Sequence, residues 1–151
     1  MNAFERAQNK AELLRREFLP TWTAVRSAVE DLVGSYNRTT NGQRFPATVR
    51  SQAGDRAVII SCVKGLATDA FNNVTIAIKV SALEGEYYEI LVVTETWLSR
   101  QGHELLQEST STDKFIFDGD IETQQVWLVS SSDRRLSAFQ CAELFLVAAL
   151  S

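Results

Sequence analysis

Two neighbouring runs of alternating apolar residues, within positions 74–98, constrain the fold more than any other stretch of this sequence. In residues 74–80, valine and isoleucine alternate with threonine, alanine and lysine, which is the two-residue period of a strand with one buried face. Residues 87–97 continue this alternation, and Gly85 lies between the two runs. The pattern predicts an antiparallel β-hairpin at the centre of a sheet.

The N-terminal stretch, residues 3–36, carries apolar side chains at intervals of three and four, as in a helix with one apolar face. These positions are Phe4, Ala7, Ala11, Leu14, Phe18, Val25, Ala28 and Leu32. Pro20 lies within the stretch, and a proline inside a helix removes one backbone hydrogen bond and crowds the preceding turn. We therefore expect a kink or a break near residues 18–21, so that the helix either folds back as two pieces or overhangs the domain.

Including the predicted hairpin, residues 43–130 contain up to seven short segments with strand character. Residues 57–63 are apolar at successive positions, which is typical of a strand covered on both faces. The dipeptide Asp118-Gly119 favours a hairpin turn, and residues 103–109 form the least regular strand candidate. The stretches predicted as loops or connectors are 34–42, 64–72 and 110–113.

A second helix is predicted over residues 132–150, with Ser131, Ser132 and Asp133 as candidate capping residues. Residues 144–150 are apolar on every side, so this helix must be enclosed by a curved sheet of its own chain or by a second subunit. The expected fold class is therefore α+β. We expect one domain, residues 1–151, with a curved antiparallel sheet of six or seven strands, a long kinked N-terminal helix and an apolar C-terminal helix.

The composition is that of a globular chain with a core of its own. The chain has 151 residues, of which 45% are hydrophobic, enough for one domain without metals or disulfides. Both cysteines, Cys62 and Cys141, lie in apolar runs and are predicted to be buried free thiols. The N terminus lacks the apolar region of a secretory signal, and no apolar run is long enough to span a bilayer. These features predict a cytoplasmic protein.

The charged residues are unevenly distributed along the chain. Residues 37–64 contain five cations and one acid, a local charge of +4, whereas residues 65–133 contain twelve acids and three cations, a local charge of −9. The overall charge of −4 argues against non-specific binding to nucleic acids, which requires many neutralised phosphates. If residues 43–63 form a hairpin, several of the basic residues converge near its turn and form an anion-binding patch. They are Arg44, Arg50, Arg56 and Lys64.

The sequence offers little for catalysis, metals or cofactors. His103 is the only histidine, and we interpret it as a solvated residue after a turn. Asp118, Asp120 and Glu122 alternate near a glycine but are too few for a calcium site, so we interpret them as a solvated hairpin tip. Phosphate-binding loops, dinucleotide fingerprints and nucleophile elbows are missing from the sequence. We therefore predict no cofactor and no metal site.

The order of strands followed by a closing helix, over residues 43–150, resembles that of pleckstrin-homology-like barrels. The terminal helix lacks the tryptophan typical of that family, so none of the family's lipid-binding residues is assigned here. The size and acidic charge of the chain are also similar to those of bacterial secretion chaperones, although those proteins alternate helices within the sheet. A shared element order alone does not establish function.

Three functional hypotheses follow. The first is a non-enzymatic interaction protein, adaptor- or chaperone-like and homodimeric, which binds protein partners through its apolar helices or an exposed strand edge. The second is a small-molecule or lipid-binding protein with an apolar cavity between the curved sheet and the C-terminal helix. The third, an enzyme, requires a cleft with converging carboxylates of raised pKa.

Overall fold

The computed structural model describes residues 1–52, 54, 56–65, 70–83, 87–100 and 104–151, without the side chains of residues 81–83, 87 and 104–107. Two helices, α1 (Ala3–Asn37) and α2 (Thr40–Arg44), precede seven strands, and helix α3 (Ala138–Leu150) follows them. The strands are β1 (Ala47–Gln52), β2 (Ala57–Gly65), β3 (Ala70–Leu83), β4 (Tyr87–Arg100), β5 (Glu104–Asp120), β6 (Gln125–Val129) and β7 (Arg135–Leu136). The α+β class is confirmed.

The seven strands form one sheet in sequence order, in which every neighbouring pair is antiparallel and the whole curls into a half-barrel. The predicted central hairpin is confirmed as β3 and β4, with Ile78 opposite Val92. Both of these side chains are fully buried. They lie on the inner face of the sheet, which also carries Val58 and Ile60 of β2. The predicted turn near Gly85 falls outside the described residues.

Two predictions for the fifth and sixth strands were wrong. Residues 110–113 are not a loop, because β5 continues through them and pairs Thr110 with Glu95 and Thr112 with Val93 of β4. The Asp118-Gly119 dipeptide is not a turn either, since both residues pair with β6. The chain turns at residues 121–124, where Gln124 has a φ of 59°.

Gly119 has a packing role instead of a turning role. A Cβ atom at this position would lie 2.9 Å from the carbonyl oxygen of Gln125 and 3.3 Å from Cδ2 of Leu13 on α1. The absence of a side chain therefore allows α1 and β6 to approach β5 closely.

Several predicted boundaries also shift. Residues 34–42 are not one loop, because α1 continues to Asn37 and α2 begins at Thr40. Residues 64–72 are not a free connector, since β2 includes Lys64 and β3 begins at Ala70, while residues 66–69 lie outside the description. The predicted cover on both faces of β2 is not complete, because Val63 on its outer face is 50% exposed.

Helix α1 runs through Pro20 without a break, so of the two open alternatives the continuous, overhanging helix is the one observed. The hydroxyl of Thr21 donates a hydrogen bond to the carbonyl oxygen of Glu17 at 2.8 Å. The first turns of the helix overhang, because residues 1–10 are all exposed and Phe4 is 87% exposed. The first buried residue of α1 is Ala11, and the buried residues cover a wider part of the helix surface than the predicted apolar stripe. The buried residues of α1 are Ala11, Leu13, Leu14, Trp22, Val25, Ala28, Val29 and Val33.

Helix α3 begins at Ala138, six residues later than predicted, because Ser137 caps it. The Ser137 hydroxyl accepts a hydrogen bond from the backbone N–H of Gln140, and the Gln140 side chain accepts one from the backbone N–H of Ser137. This reciprocal pair is a capping box. The residues between β6 and this cap form a turn and the short strand β7, so the sheet extends beyond its predicted end.

Both long helices pack on the inner face of the sheet. The ring of Phe18 on α1 lies 4.5 Å from that of Tyr88 on β4 and 5.4 Å from that of Phe117 on β5, measured between centroids. The ring of Phe145 on α3 lies 6.1 Å from that of Phe115 on β5. A single cluster of buried residues joins α1, α3 and the strands.

The two sides of the sheet end differently. At β1, the side-chain amide of Asn37 accepts a hydrogen bond from the backbone N–H of Ala47 at 2.8 Å and donates one to its carbonyl oxygen at 2.9 Å. This side chain therefore pairs with both backbone polar groups of the first residue of the strand. At the other side, β6 pairs only with residues 116–120 of the 17-residue β5. In the described part of the chain, no strand pairs with the outward side of residues 108–115 of β5, which we call the β5 edge.

Two glycines give a matched test of the junction between α1 and α2. A Cβ atom at the buried Gly42 would overlap the backbone carbonyl of Tyr36, whereas one at Gly34 would meet nothing closer than 3.6 Å. We predict that Gly42→Ala lowers the free energy of unfolding by about 2 kcal/mol or more. Gly34→Ala, within α1, should raise it by up to about 1 kcal/mol. Urea denaturation of both variants checks this, and equal effects would contradict the packing of α2 against α1.

Candidate functional site

The structure separates the four predicted anion-binding residues into two groups. Arg50 lies exposed on the outer face of β1, and Arg56 is exposed at the β1–β2 turn. Arg44 ends α2 at the opposite end of β1, with its guanidinium 5.1 Å from the ring centroid of Phe45. Lys64 lies near the end of β2, half-buried.

Strand geometry keeps Arg50 and Lys64 apart. Arg50 is opposite Ile59, five residues before Lys64, so the two positions are about 16 Å apart along the strands. Because side chains alternate between faces, Arg50 projects from the outer face and Lys64 from the inner face. Anion binding at these residues remains a prediction, and the arrangement does not bring all four cations together.

Lys64 instead lies beside the ends of both long helices. Its ammonium donates to the backbone carbonyl of Leu150 on α3 at 2.6 Å and lies 5.4 Å from the ring centroid of Tyr36 on α1. The Tyr36 hydroxyl donates to the carbonyl of Phe45 at 2.9 Å and lies 3.5 Å from Sγ of Cys62. Burial, followed by the hydrogen bond and the charge interaction with Cys62, raises the pKa of Tyr36 to about 12.

A groove of about 390 Å³ opens between the end of α1, helix α2 and the end of α3. Leu32 and Tyr36 of α1 line one side, and Leu146, Val147 and Leu150 of α3 line the other. Most of these side chains are apolar, so the groove suits an apolar partner more than a charged one.

The outward side of α3 continues this apolar surface. Phe139, Leu144 and Val147 are 48%, 46% and 52% exposed, and we call these three residues the α3 surface. The opposite side of the helix is buried, with Cys141 and Ala142 inaccessible to solvent. The sheet of the same chain therefore encloses only one side of the helix, and enclosure of the other side by a second subunit remains a prediction.

A second cleft, of about 420 Å³, lies between the first turns of α1 and the β5–β6 hairpin. Lys10 forms an ion pair with Asp118 there at 2.7 Å. The guanidinium of Arg135 lies 4.0 Å from the ring centroid of Trp127. Cations and carboxylates alternate along this cleft, so it has no single charge preference. This cleft was not predictable from the sequence, because its residues come from α1 and from residues 118–135, which are far apart along the chain.

Among the residues that the structure describes, the remaining chemistry-bearing side chains form no assembled site. Asp120 accepts a hydrogen bond from the backbone N–H of Glu122, as in a hairpin turn. Within the residues that the structure covers, no three histidine, cysteine or acidic side chains come together as metal ligands. His103 falls outside these residues. Cys62 and Cys141 are confirmed as buried free thiols, and burial raises the pKa of Cys141 to about 12.

No family model, curated protein or solved structure matches this chain. Among the described helices, none combines the length and the apolarity needed to cross a bilayer. The surfaces of the molecule itself are therefore the basis for inferring its function.

The raised pKa of Tyr36 gives a prediction for alkaline pH. An unfolded tyrosine ionises near pH 10, whereas Tyr36 in the folded chain ionises near pH 12. The unfolded state therefore loses its proton first, and the contribution of Tyr36 to stability, complete below pH 10, is lost as the pH rises towards 12. Absorbance titration of the native protein at 295 nm should show a late phenol that Tyr36→Phe removes. Tyr88→Phe is the control and should retain it; loss of the late phenol in that variant instead would contradict the assignment.

Proposed function

We propose that this chain is a non-enzymatic interaction protein that acts as a homodimer, with the α3 surface as part of its contact region. The observation that carries the proposal is the half-exposure of Phe139, Leu144 and Val147 on one side of a helix whose other side is buried. Contiguous exposed apolar patches are typical of interaction sites.

The groove extends this surface. Val147 belongs both to the α3 surface and to the groove between α1 and α3, so the two surfaces meet at this residue. A protein partner that presents an apolar helix would cover both parts. The two free buried thiols are in keeping with the proposed cytoplasmic location.

The alternative is a small-molecule or lipid-binding protein. The sequence predicts a ligand cavity between α3 and the sheet, but Phe145 and Phe115 pack against each other at that place. The observation that favours a ligand is the volume of the groove, about 390 Å³, which falls in the size range of small-molecule sites. Native mass spectrometry of the freshly purified protein distinguishes the two functions, because it detects subunit number and retained ligand together.

We predict that the double variant Leu144→Ser, Val147→Ser weakens self-association at least about tenfold, because it removes apolar area from the proposed contact. Both side chains are about half exposed, so the fold should persist. Sedimentation equilibrium over a range of concentrations measures the dimer dissociation constant.

The control is Val63→Ser, which truncates an apolar side chain of similar exposure, 50%, on the outer face of β2. It should leave the dissociation constant unchanged. A wild-type chain that stays monomeric at every concentration, or equal effects of the two sets of variants, would argue against the proposal.

A further inference from the structure

The β5 edge is an extended strand whose outward side has no neighbouring strand among the described residues. All residues from 108 to 114 are exposed on both faces of the sheet. Their backbone pairs with β4 on one side, and across the described ranges no backbone group from a loop or helix bonds to the other side. Outward N–H and C=O groups of such a strand form a template for another strand.

The sequence of this edge is complementary to itself in the antiparallel direction. Residues 108–114 are Glu-Ser-Thr-Ser-Thr-Asp-Lys. When two copies are aligned with Ser111 opposite Ser111, Glu108 of each copy faces Lys114 of the other, and Thr110 faces Thr112. Opposite charges and threonine pairs directly across two strands are both favourable. The alignment therefore places two ion pairs, one at each end of the shared segment.

Among the described residues, neither charge has an ion-pair partner in the single chain. Across β4, Glu108 lies opposite Trp97 and Lys114 lies opposite Leu91. In the part of the chain that the structure describes, Glu108 and Lys114 form no ion pair. Both side chains are therefore available to a second copy.

We propose that two copies of this chain join their β5 edges antiparallel about Ser111, which makes one continuous sheet across the dimer. This assignment names the contact of the homodimer proposed above and rests on that function. Glu108 of each copy pairs with Lys114 of the other.

This arrangement also accounts for the α3 surface. Residues that face each other in this register lie on the same face of the joined sheet, so the two α3 helices lie on the same side of it. The contact between Phe145 and Phe115 places α3 over β5, next to the joined edges. A seven-residue strand pair alone buries less than the roughly 800 Å² per partner of a typical stable interface, and the apolar residues of α3 add to it.

Charge reversal tests the pairing. Glu108→Lys alone places lysine opposite lysine at both ends, and Lys114→Glu alone places glutamate opposite glutamate. Each should raise the dimer dissociation constant about tenfold. An equimolar mixture of the two single variants should form a heterodimer with near wild-type affinity, because every pair is again of opposite charge. The control, Lys79→Glu on the outer face of β3, makes the same change in net charge as Lys114→Glu but away from the edge.

A single cysteine tests the register. Ser111→Cys puts two thiols opposite each other, with Cα atoms about 4.5 to 5.5 Å apart, within the range of a disulfide. Mild oxidation should give a covalent dimer on a non-reducing gel. The matched control is Ser109→Cys, whose thiol faces Asp113 of the other copy and lies about 13 Å along the strands from its counterpart. The native Cys62 and Cys141 are buried and should not react.

The outcomes separate this inference from the proposed function. Restoration of the dimer in the mixture, together with cross-linking of Ser111→Cys only, supports the β5 contact. If the two charge reversals raise the dimer dissociation constant no more than Lys79→Glu does, the β5 contact is wrong, although the proposed homodimer stands. Cross-linking of Ser109→Cys in preference to Ser111→Cys overturns the register. A wild-type chain that is monomeric throughout overturns both proposals.

Discussion

Helix α1 is held between α3 and the inner face of the curled sheet, and its side chains close the space that the curl creates. Val25 and Val29 have no solvent exposure, and Leu13 lies against the bare backbone of Gly119 on β5. At its other end, Asn37 bonds to both backbone polar groups of Ala47 on β1. The helix therefore contacts strands at both sides of the sheet. Removing its apolar surface would expose both the sheet and α3 to water, which is why the other elements depend on it.

The central hairpin was predictable because its partners are close in sequence and one of its faces is buried. Burial of alternate residues on β3 and β4 produces the two-residue period, and the short connection leaves little choice of partner. The middle of β5 was not predictable in this way. Residues 110–113 are exposed on both faces, so they carry no hydrophobic period and resemble a loop. The same exposure of both faces that made this strand hard to predict also leaves its side chains accessible to another chain.

The position of each functional residue depended on facts that sequence alone does not contain. Arg50 and Lys64 belong to one basic run of the sequence. Because side chains alternate between the faces of a strand, the two residues lie on opposite faces of the sheet. Residues 144–150 of helix α3 are apolar on every side, which predicts that they are enclosed but does not identify the element or subunit that encloses them. Only the packing shows that Cys141 and Phe145 are buried while Leu144 and Val147 are about half exposed. Pro20 was compatible with one helix or two, and the continuous helix through it decides the matter.

An open strand edge is normally a hazard, because it pairs with any available strand. The β5 edge limits this by its polarity, and in the proposed dimer its charges also favour one register. If two copies slip by one residue so that Glu108 faces Asp113, like charges meet at both ends, and the sheet of the second copy turns over. The two α3 helices would then lie on opposite faces, where neither could cover the other's apolar residues. The register centred on Ser111 avoids both penalties, since it joins opposite charges and keeps the helices on one side. The polar edge and the apolar helix surface thus favour the same arrangement of two copies.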